Sequence, residues 1–414
     1  MTDVVSFHNP DRYMTDLRHI LSQGRKRIGI LLGAGGPVSV RTDEHGEICT
    51  KGAPLIPAIA GLTNQVKQSL KKDDKDLLEL IESELDPPAN IEAILSRTRA
   101  FAKLLKTGEI HNATGPRFSS LAENICKIIA DIVEVDLPAG DNAYTQLAAW
   151  ISGTERPYPI EIFTPNYDLL IETALERNRI PYFDGFVGSK EPFFDPTAVA
   201  KNALPSRWAR LWKLHGSLGW EQNTKGRVIR RGNNSAATLI YPDHLKYDHT
   251  QKQPYTTLFD RLRTFLSSSD SILITSGFSF FDTHITAVIE EGLSANPKAS
   301  LIAFQFSELH HERCAIDLAK RRPNMSVYAL DGAVINTISA KWKPEEYPSK
   351  NWEPIRDTFW RSGDQPGFIL GDFTSLTNFL INSNSTDFMH SPTLKKDNTS
   401  GLLASIATLA KAET

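Results

Sequence analysis

Four short stretches of the chain hold the residues that can do chemistry. They are Gly33-Ala34-Gly35, then Asn166 and Asp168, then His215, then Gly277 and Ser279. Each follows directly on a short apolar run. Together they supply two sets of small residues, one amide, one carboxylate and one imidazole. That set suits a phosphate-bearing ligand with one polar reacting centre. Glycines let a backbone turn sharply and approach a ligand closely, with amides turned to a phosphate. The third glycine of G-x-G-x-x-G is missing, so a tight strand-to-helix connection explains the turn equally well. The other residues have structural readings too. Asn166 and Asp168 suit the cap of a helix after Pro165, and Asp282 suits the cap of the helix that follows it. A lone histidine after an apolar strand serves packing as readily as chemistry. His310-His311 and the histidines between His244 and His249 lack partners at metal-ligand spacing and read as surface residues.

The elements that must position these residues form an alternating series. Ile28, Ile30, Leu31 and Leu32, closed by glycine, read as a buried parallel strand. Further strands are expected over Ile160–Thr164, Leu211–Leu214, Thr238–Tyr241 (closed by Pro242), Ser271–Thr275 and Ser300–Phe304, with a last one over Ser326–Leu330. Helices are expected over Asp11–Gln23, Asn142–Ile151, from Pro165 through Arg177, and over Tyr255–Leu266, Asp282–Leu293 and His310–Arg321. This alternation implies an α/β fold: a doubly wound, mostly parallel Rossmann-like sheet. In such a sheet ligands bind at the carboxyl ends of the strands, where the four stretches lie.

Between about residues 54 and 140 the pattern is helical, with no strand candidate after Leu70. Ile91, Ile94 and Leu95, and then Phe118, Leu121, Ile125 and Ile129, mark helices with one apolar face. The stretch reads as a helical insertion. Residues 1–26 read as an N-terminal helical arm and 27–340 as the main domain. Residues 341–414 read as a C-terminal extension for assembly or partner contacts. It contains Trp342, Trp352 and Trp360, a short helix from Gly371 to Leu380, a polar and mobile stretch over Asn382–Ser400, and a terminal helix over Leu402–Ala412.

The chain has 414 residues, a net charge of -3 and 40% hydrophobic residues. It can bury a sizeable core, and its charge does not suggest a general nucleic-acid binder. No apolar run approaches the roughly 20 residues that span a bilayer, and the N-terminus lacks the pattern of a secretory leader. Cys49, Cys126 and Cys314 are far apart and form no C-x-x-C, which argues against a four-cysteine zinc site and a disulfide framework. They read as unpaired thiols in a reducing cytoplasm. No G-x-x-x-x-G-K-[ST] and no G-x-S-x-G is present, which argues against a P-loop ATPase and an α/β-hydrolase.

Taken in order, Gly33-Ala34-Gly35 with a serine behind it, Thr164-Pro165-Asn166-Tyr167-Asp168, Lys213-Leu214-His215-Gly216-Ser217 and Thr275-Ser276-Gly277 resemble the sirtuin family of NAD-consuming enzymes. The resemblance covers roughly residues 25–340. Gly277-Phe278-Ser279-Phe280-x-Asp282-x-His284-Ile285 and Ile240-Tyr241-Pro242 resemble more narrowly the bacterial sirtuin-like branch of anti-phage defence. The family's Gln-Asn-Ile-Asp is Pro165-Asn166-Tyr167-Asp168 here, and its serine is displaced to Ser39. The zinc cysteines of the deacylating members are absent, so no zinc is expected.

The resemblance implies hydrolysis of NAD, as substrate, to nicotinamide and ADP-ribose, which starves an infected cell. It implies Asn166, His215 and Asp168 as catalytic residues: Asn166 to hold the ribose and place a water, His215 as base, and Asp168 to steady the carboxamide or the cationic sugar. For NAD it implies Gly33, Ala34 and Gly35 at the pyrophosphate, Ser39 and Thr164 as further binding residues, Gly277 and Ser279 along the adenosine ribose, and Asp331 and Gly332 near the adenine. Length and tail suggest a stand-alone subunit that forms a homo-oligomer and partners a HerA-type ATPase from a neighbouring gene. Contact with nucleic acid would then come only through the partner, and no membrane is involved. The alternatives are an NAD-dependent protein deacylase and a non-catalytic NAD- or ADP-ribose-binding scaffold.

Overall fold

A computed structural model describes residues 6–384, apart from 88, 106–107, 154–155, 224, 226 and 232–252. The strand expected over Thr238–Tyr241, Pro242, the histidines from His244 to His249 and the helix over Leu402–Ala412 lie outside the described residues, as does most of Asn382–Ser400.

The sheet forms where the sequence alternates between two buried faces. Ten of its strands are described: β1 (Phe7–His8), β2 (Arg27–Leu32), β3 (Glu161–Thr164), β4 (Tyr182–Phe183), β5 (Ala209–Lys213), β6 (Ser271–Ser276), β7 (Ser300–Phe304), β8 (Met325–Tyr328), β9 (Gly332–Ile335) and β10 (Ile338–Trp342). Their order is β1-β10-β9-β8-β7-β6-β2-β3-β5-β4. Neighbours from β8 to β4 pair in parallel. β9 runs against both β8 and β10. The fold is therefore α/β with a large, mostly parallel, doubly wound sheet. On β2, Ile28, Ile30 and Leu32 face one core while Leu31 faces the other; on β3, Ile162 and Phe163 divide in the same way. This is the period of two expected of a strand buried on both sides.

One core is covered by helices Pro10–Gln23, Ala143–Ser152, Leu170–Arg177 and Phe373–Asn384 and by the four insertion helices, Ile59–Ser69, Lys72–Glu82, Ile91–Leu104 and Gly115–Val133. The other is covered by helices Tyr255–Ser267, Thr283–Ala295 and Arg313–Arg321. Asn142 opens helix Ala143–Ser152 through a reciprocal capping box with Thr145.

Three expectations are corrected. The strand over 326–330 is not the last, because β9 and β10 follow as a hairpin turning on Asn336 and Thr337. Both have positive φ, a turn more often marked by Asn-Gly. The insertion contains a minimal hairpin, Glu109–Ile110 with Ala113–Thr114, turned by His111 and Asn112, also at positive φ. The helix expected from His310 begins at Arg313, after a 3-10 turn over Leu309–His311. A small four-stranded sheet was also not expected; it consists of Phe186–Val187, Phe193–Phe194, Val228–Arg230 and Trp220–Gln222. Its strands are two or three residues long, too short for alternation to register.

Candidate active site

β2 and β6 are neighbours in register, with Leu32 opposite Ser276, so their glycine turns meet at the sheet's carboxyl edge. The Gly33 amide donates to Ser276 O and the Gly35 amide to Gly277 O, both at 3.0 Å. A Cβ at Gly33 would lie 2.3 Å from Gly277 O, and one at Gly35 would lie 2.5 Å from Gly277 Cα. Two backbones cross here closer than any side chain allows. This changes the reading of the turn. The Gly36 amide donates to Gly33 O, so the amides of Gly33, Gly35 and Gly36 are all engaged inside the protein. Ala34, at the exposed tip, keeps the turn's amide without a partner among the described residues. Ser39 Oγ donates back to Gly36 O at 2.8 Å.

At the end of β3, Thr164 Oγ1 donates to Leu32 O at 2.7 Å and accepts from the Asn166 amide at 3.0 Å. Asn166 Nδ2 then donates to Gly33 O at 3.0 Å. The side chain is thereby tied to the glycine turn rather than to a helix end, which leaves Oδ1 as the acceptor it can offer. Asp168 behaves differently: its Oδ1 accepts from the Leu170 amide in a local turn just before helix Leu170–Arg177, whose cap position is Leu169. Neither side chain therefore takes the cap position, although Asp168 engages the first amide of the helix.

At the end of β5, the Leu214 amide donates to Thr164 O, and Gly216, at φ +97°, turns the chain. His215 is buried, and its Nε2 lies 3.0 Å from Asp282 Oδ2, an ion-pair distance at which Nε2 makes no aligned hydrogen bond. The other Asp282 oxygen accepts from the His284 and Ile285 amides. Asp282 is therefore the helix cap that its sequence context suggests, and also the carboxylate set against His215. The loop that carries it is fixed by Gly277 and Phe280, both at φ +62°, and by Gln305 Nε2 donating to Phe278 O. Ser279 is exposed on that loop.

Asp331 and Gly332 stand at the end of β8, three strands from β2 or about 14 Å at ordinary strand spacing. Asp331 Oδ1 accepts from the Leu309 amide at 2.7 Å, and a Cβ at Gly332 would lie 2.7 Å from Ala340 O. In this structure both therefore serve local backbone packing.

Beneath the edge lies a cluster that sequence reading passed over. Lys213, the last residue of β5, is buried and pairs with Glu172 Oε1 at 3.1 Å. Its Nζ also donates to the Asp168 backbone carbonyl. Burial pushes the Asp168 and Glu172 carboxyls up, while the Lys213 charge pulls both back. Burial, and then the two carboxylates, push the Tyr144 phenol well above its usual value. One signal was available: Asp168 and Glu172 are four apart, one just before the helix and the other in its first turn. Separately, Glu308, His310 and His311 bring three ligand atoms within 4.8 Å of one another, all on exposed residues.

The family described as SIR2-like domain matches residues 160–322, a stretch from the start of β3 to the end of helix Arg313–Arg321. It takes in Asn166, Asp168, His215, Gly277 and Asp282 and leaves out the glycine turn after β2. A solved structure described as "Structural Basis for the Mechanism and Regulation of Sir2 Enzymes" is similar at 13% identity, over 72% of this chain and 87% of that chain, with a TM-score of 0.35. No curated protein matches the chain. Among the described residues no helix is long and apolar enough to cross a membrane.

Proposed function

We propose that the protein is an NAD hydrolase that cleaves the bond between nicotinamide and ribose and releases nicotinamide and ADP-ribose. The observation that carries this reading is that Asn166, on the glycine crossing, and the His215–Asp282 pair stand at one carboxyl edge. Most of that edge lies in a stretch similar to the SIR2-like domain. Nicotinamide departs neutral with the electron pair of the broken C–N bond, so the site needs no acid for it. The ribose becomes cationic, as in glycoside cleavage, and water must be held against it. Asn166 Oδ1 can accept from that water or from a ribose hydroxyl while its NH2 stays fixed. His215 takes the proton when the new C–O bond forms, and Asp282 faces the imidazolium that results. The pyrophosphate would lie at the tip of Gly33-Ala34-Gly35, where the exposed Ala34 amide can donate. Gly277 and Ser279 would line the adenosine ribose.

The resemblance to the defence branch further supports NAD depletion as the biological output, with a HerA-type ATPase as gate and a homo-oligomer as the working form. The test is NAD consumption by the purified chain, alone and with the product of the adjacent gene, beside Asn166→Ala. Loss of NAD that requires Asn166 is expected. Equal loss in the variant, or none in either setting, overturns the reading.

A further inference from the structure

We propose that Lys213 is a positioning residue of this site. Its ammonium locks the Asn166–Asp168 loop onto the strand that leads to His215, and it supplies the counter-charge that keeps Asp168 ionised. The proposal rests on the hydrolase reading and gives it a buried residue to act through.

Three observations meet here. Lys213 is 2% exposed, yet its ammonium reaches across the sheet edge to the Asp168 backbone carbonyl and the Glu172 carboxylate. Lys213 pairs with Thr164 in the ladder, and the Gly216 amide donates to Lys213 O. One residue thus anchors both site-bearing loops, one through its side chain and the other through its backbone. The charges facing Asp168 are Lys213 from β5 and Glu172 from helix Leu170–Arg177, which follows it, with the Tyr144 phenol from helix Ala143–Ser152. Two carboxylates share one ammonium, and Glu172 Oε2 and the Tyr144 hydroxyl, both buried, have no hydrogen-bond partner among the described residues. Such a cluster is costly for stability alone, because apolar residues of the same volume pack there at less cost. A role at the adjacent site accounts for keeping it.

The test compares the full-length wild type with Lys213→Met, Lys213→Arg and Lys213→Met/Glu172→Gln. Thermal unfolding and NAD turnover are both followed from about pH 5 to pH 8. Burial raises both carboxyls from their ordinary values, so their favourable contribution is complete in acid and declines as pH rises through the folded values. Removing the ammonium moves those values higher still. The Tm deficit of Lys213→Met should therefore grow from pH 5 to pH 8, and Glu172→Gln should narrow it. In turnover, Lys213→Met should lose about tenfold or more in kcat at neutral pH, with its acid limb moved to higher pH. Lys213→Arg should keep the wild-type limb. A Tm deficit that does not change with pH, or a kcat loss that is uniform across pH, overturns the proposal. If Lys213→Met does not fold, the double variant, with one carboxylate removed, carries the same comparison. A wild type without turnover would overturn the hydrolase reading, while the unfolding series would still decide whether Lys213 holds the carboxylates.

Discussion

His215 Nε2 and Asp282 Oδ2 stand 3.0 Å apart, while the second oxygen of Asp282 caps the helix beginning at Thr283. The two tasks can be separated. Asn caps a helix about as well as Asp but carries no charge. Asp282→Asn should keep the wild-type Tm within a degree or two and lower kcat by about 10²-fold. Asp282→Ala should lose the same activity and about 1 kcal/mol of stability as well. Calorimetry beside NAD turnover checks both. An Asp282→Asn protein with full activity would show that capping is the residue's whole role.

Asn166 is held by donating to Gly33 O, so the direction of that hydrogen bond matters. Asn166→Asp preserves shape but can only accept, and it would place a carboxylate against a carbonyl. Turnover should fall about 10²-fold or more, as far as in Asn166→Ala. NAD binding measured by calorimetry should weaken less than kcat, because the lost function is orientation at the reacting centre. Asn166→Asp retaining more than a tenth of wild-type turnover would exclude donation to Gly33 as the positioning device.

Much of this site is readable in the sequence, and the unread part has a physical reason. β2, β3, β5, β6 and β7 are central strands, and burial on both faces gives each a compact run ended by a small or polar residue. The residues after them, Asn166 and His215 among them, follow from position alone. Asp282 is harder to read because a capping aspartate and a partner of histidine look the same in sequence; its second oxygen acquires a task only when β5 and β6 bring the loops together. Lys213 is harder still. Ala209–Lys213 reads Ala-Arg-Leu-Trp-Lys, with cations at its second and last positions, yet all five residues are buried. Arg210 is satisfied by Asn202 and the carbonyls of Leu204 and Trp208, and Lys213 by Asp168 and Glu172, contacts that the linear sequence does not reveal.

The glycine crossing yields a contrast between two positions. Gly35→Ala would drive a methyl into Gly277 Cα, backbone against backbone, with no flexible side chain to yield. A cost of about 3 kcal/mol is expected, at the upper end for overpacking. Gly46, unlike Gly35, sits at positive φ, +79°, and nothing lies within 4 Å of its Cβ position. Gly46→Ala should therefore cost only the left-handed backbone penalty, about 1 kcal/mol. Urea unfolding midpoints at constant m-value would measure the pair. Equal costs would mean that the two turns do not cross as closely as the structure places them.

The two ends of the described chain are joined by a buried ion pair. Asp11, in the first turn of helix Pro10–Gln23, accepts two hydrogen bonds from Arg356 at 2.8 and 2.7 Å and one from Trp352 Nε1 at 2.7 Å. Asp11 is fully buried, and Arg356 lies nearly so beneath Tyr347. Removing one partner leaves the other charge buried without its counter-ion, a loss of about 3–5 kcal/mol. Arg356→Met should therefore lower Tm strongly, whereas Asp11→Asn/Arg356→Met, which removes both charges, should recover part of the loss. A double-mutant cycle on unfolding free energies measures the coupling. The pair is remote from Asn166 and His215 in sequence and in contacts, so turnover per folded molecule should match the wild type at temperatures well below unfolding. Lost turnover in a protein that is still folded would instead show that the N-terminal helix and the segment around Arg356 transmit their packing to the candidate site.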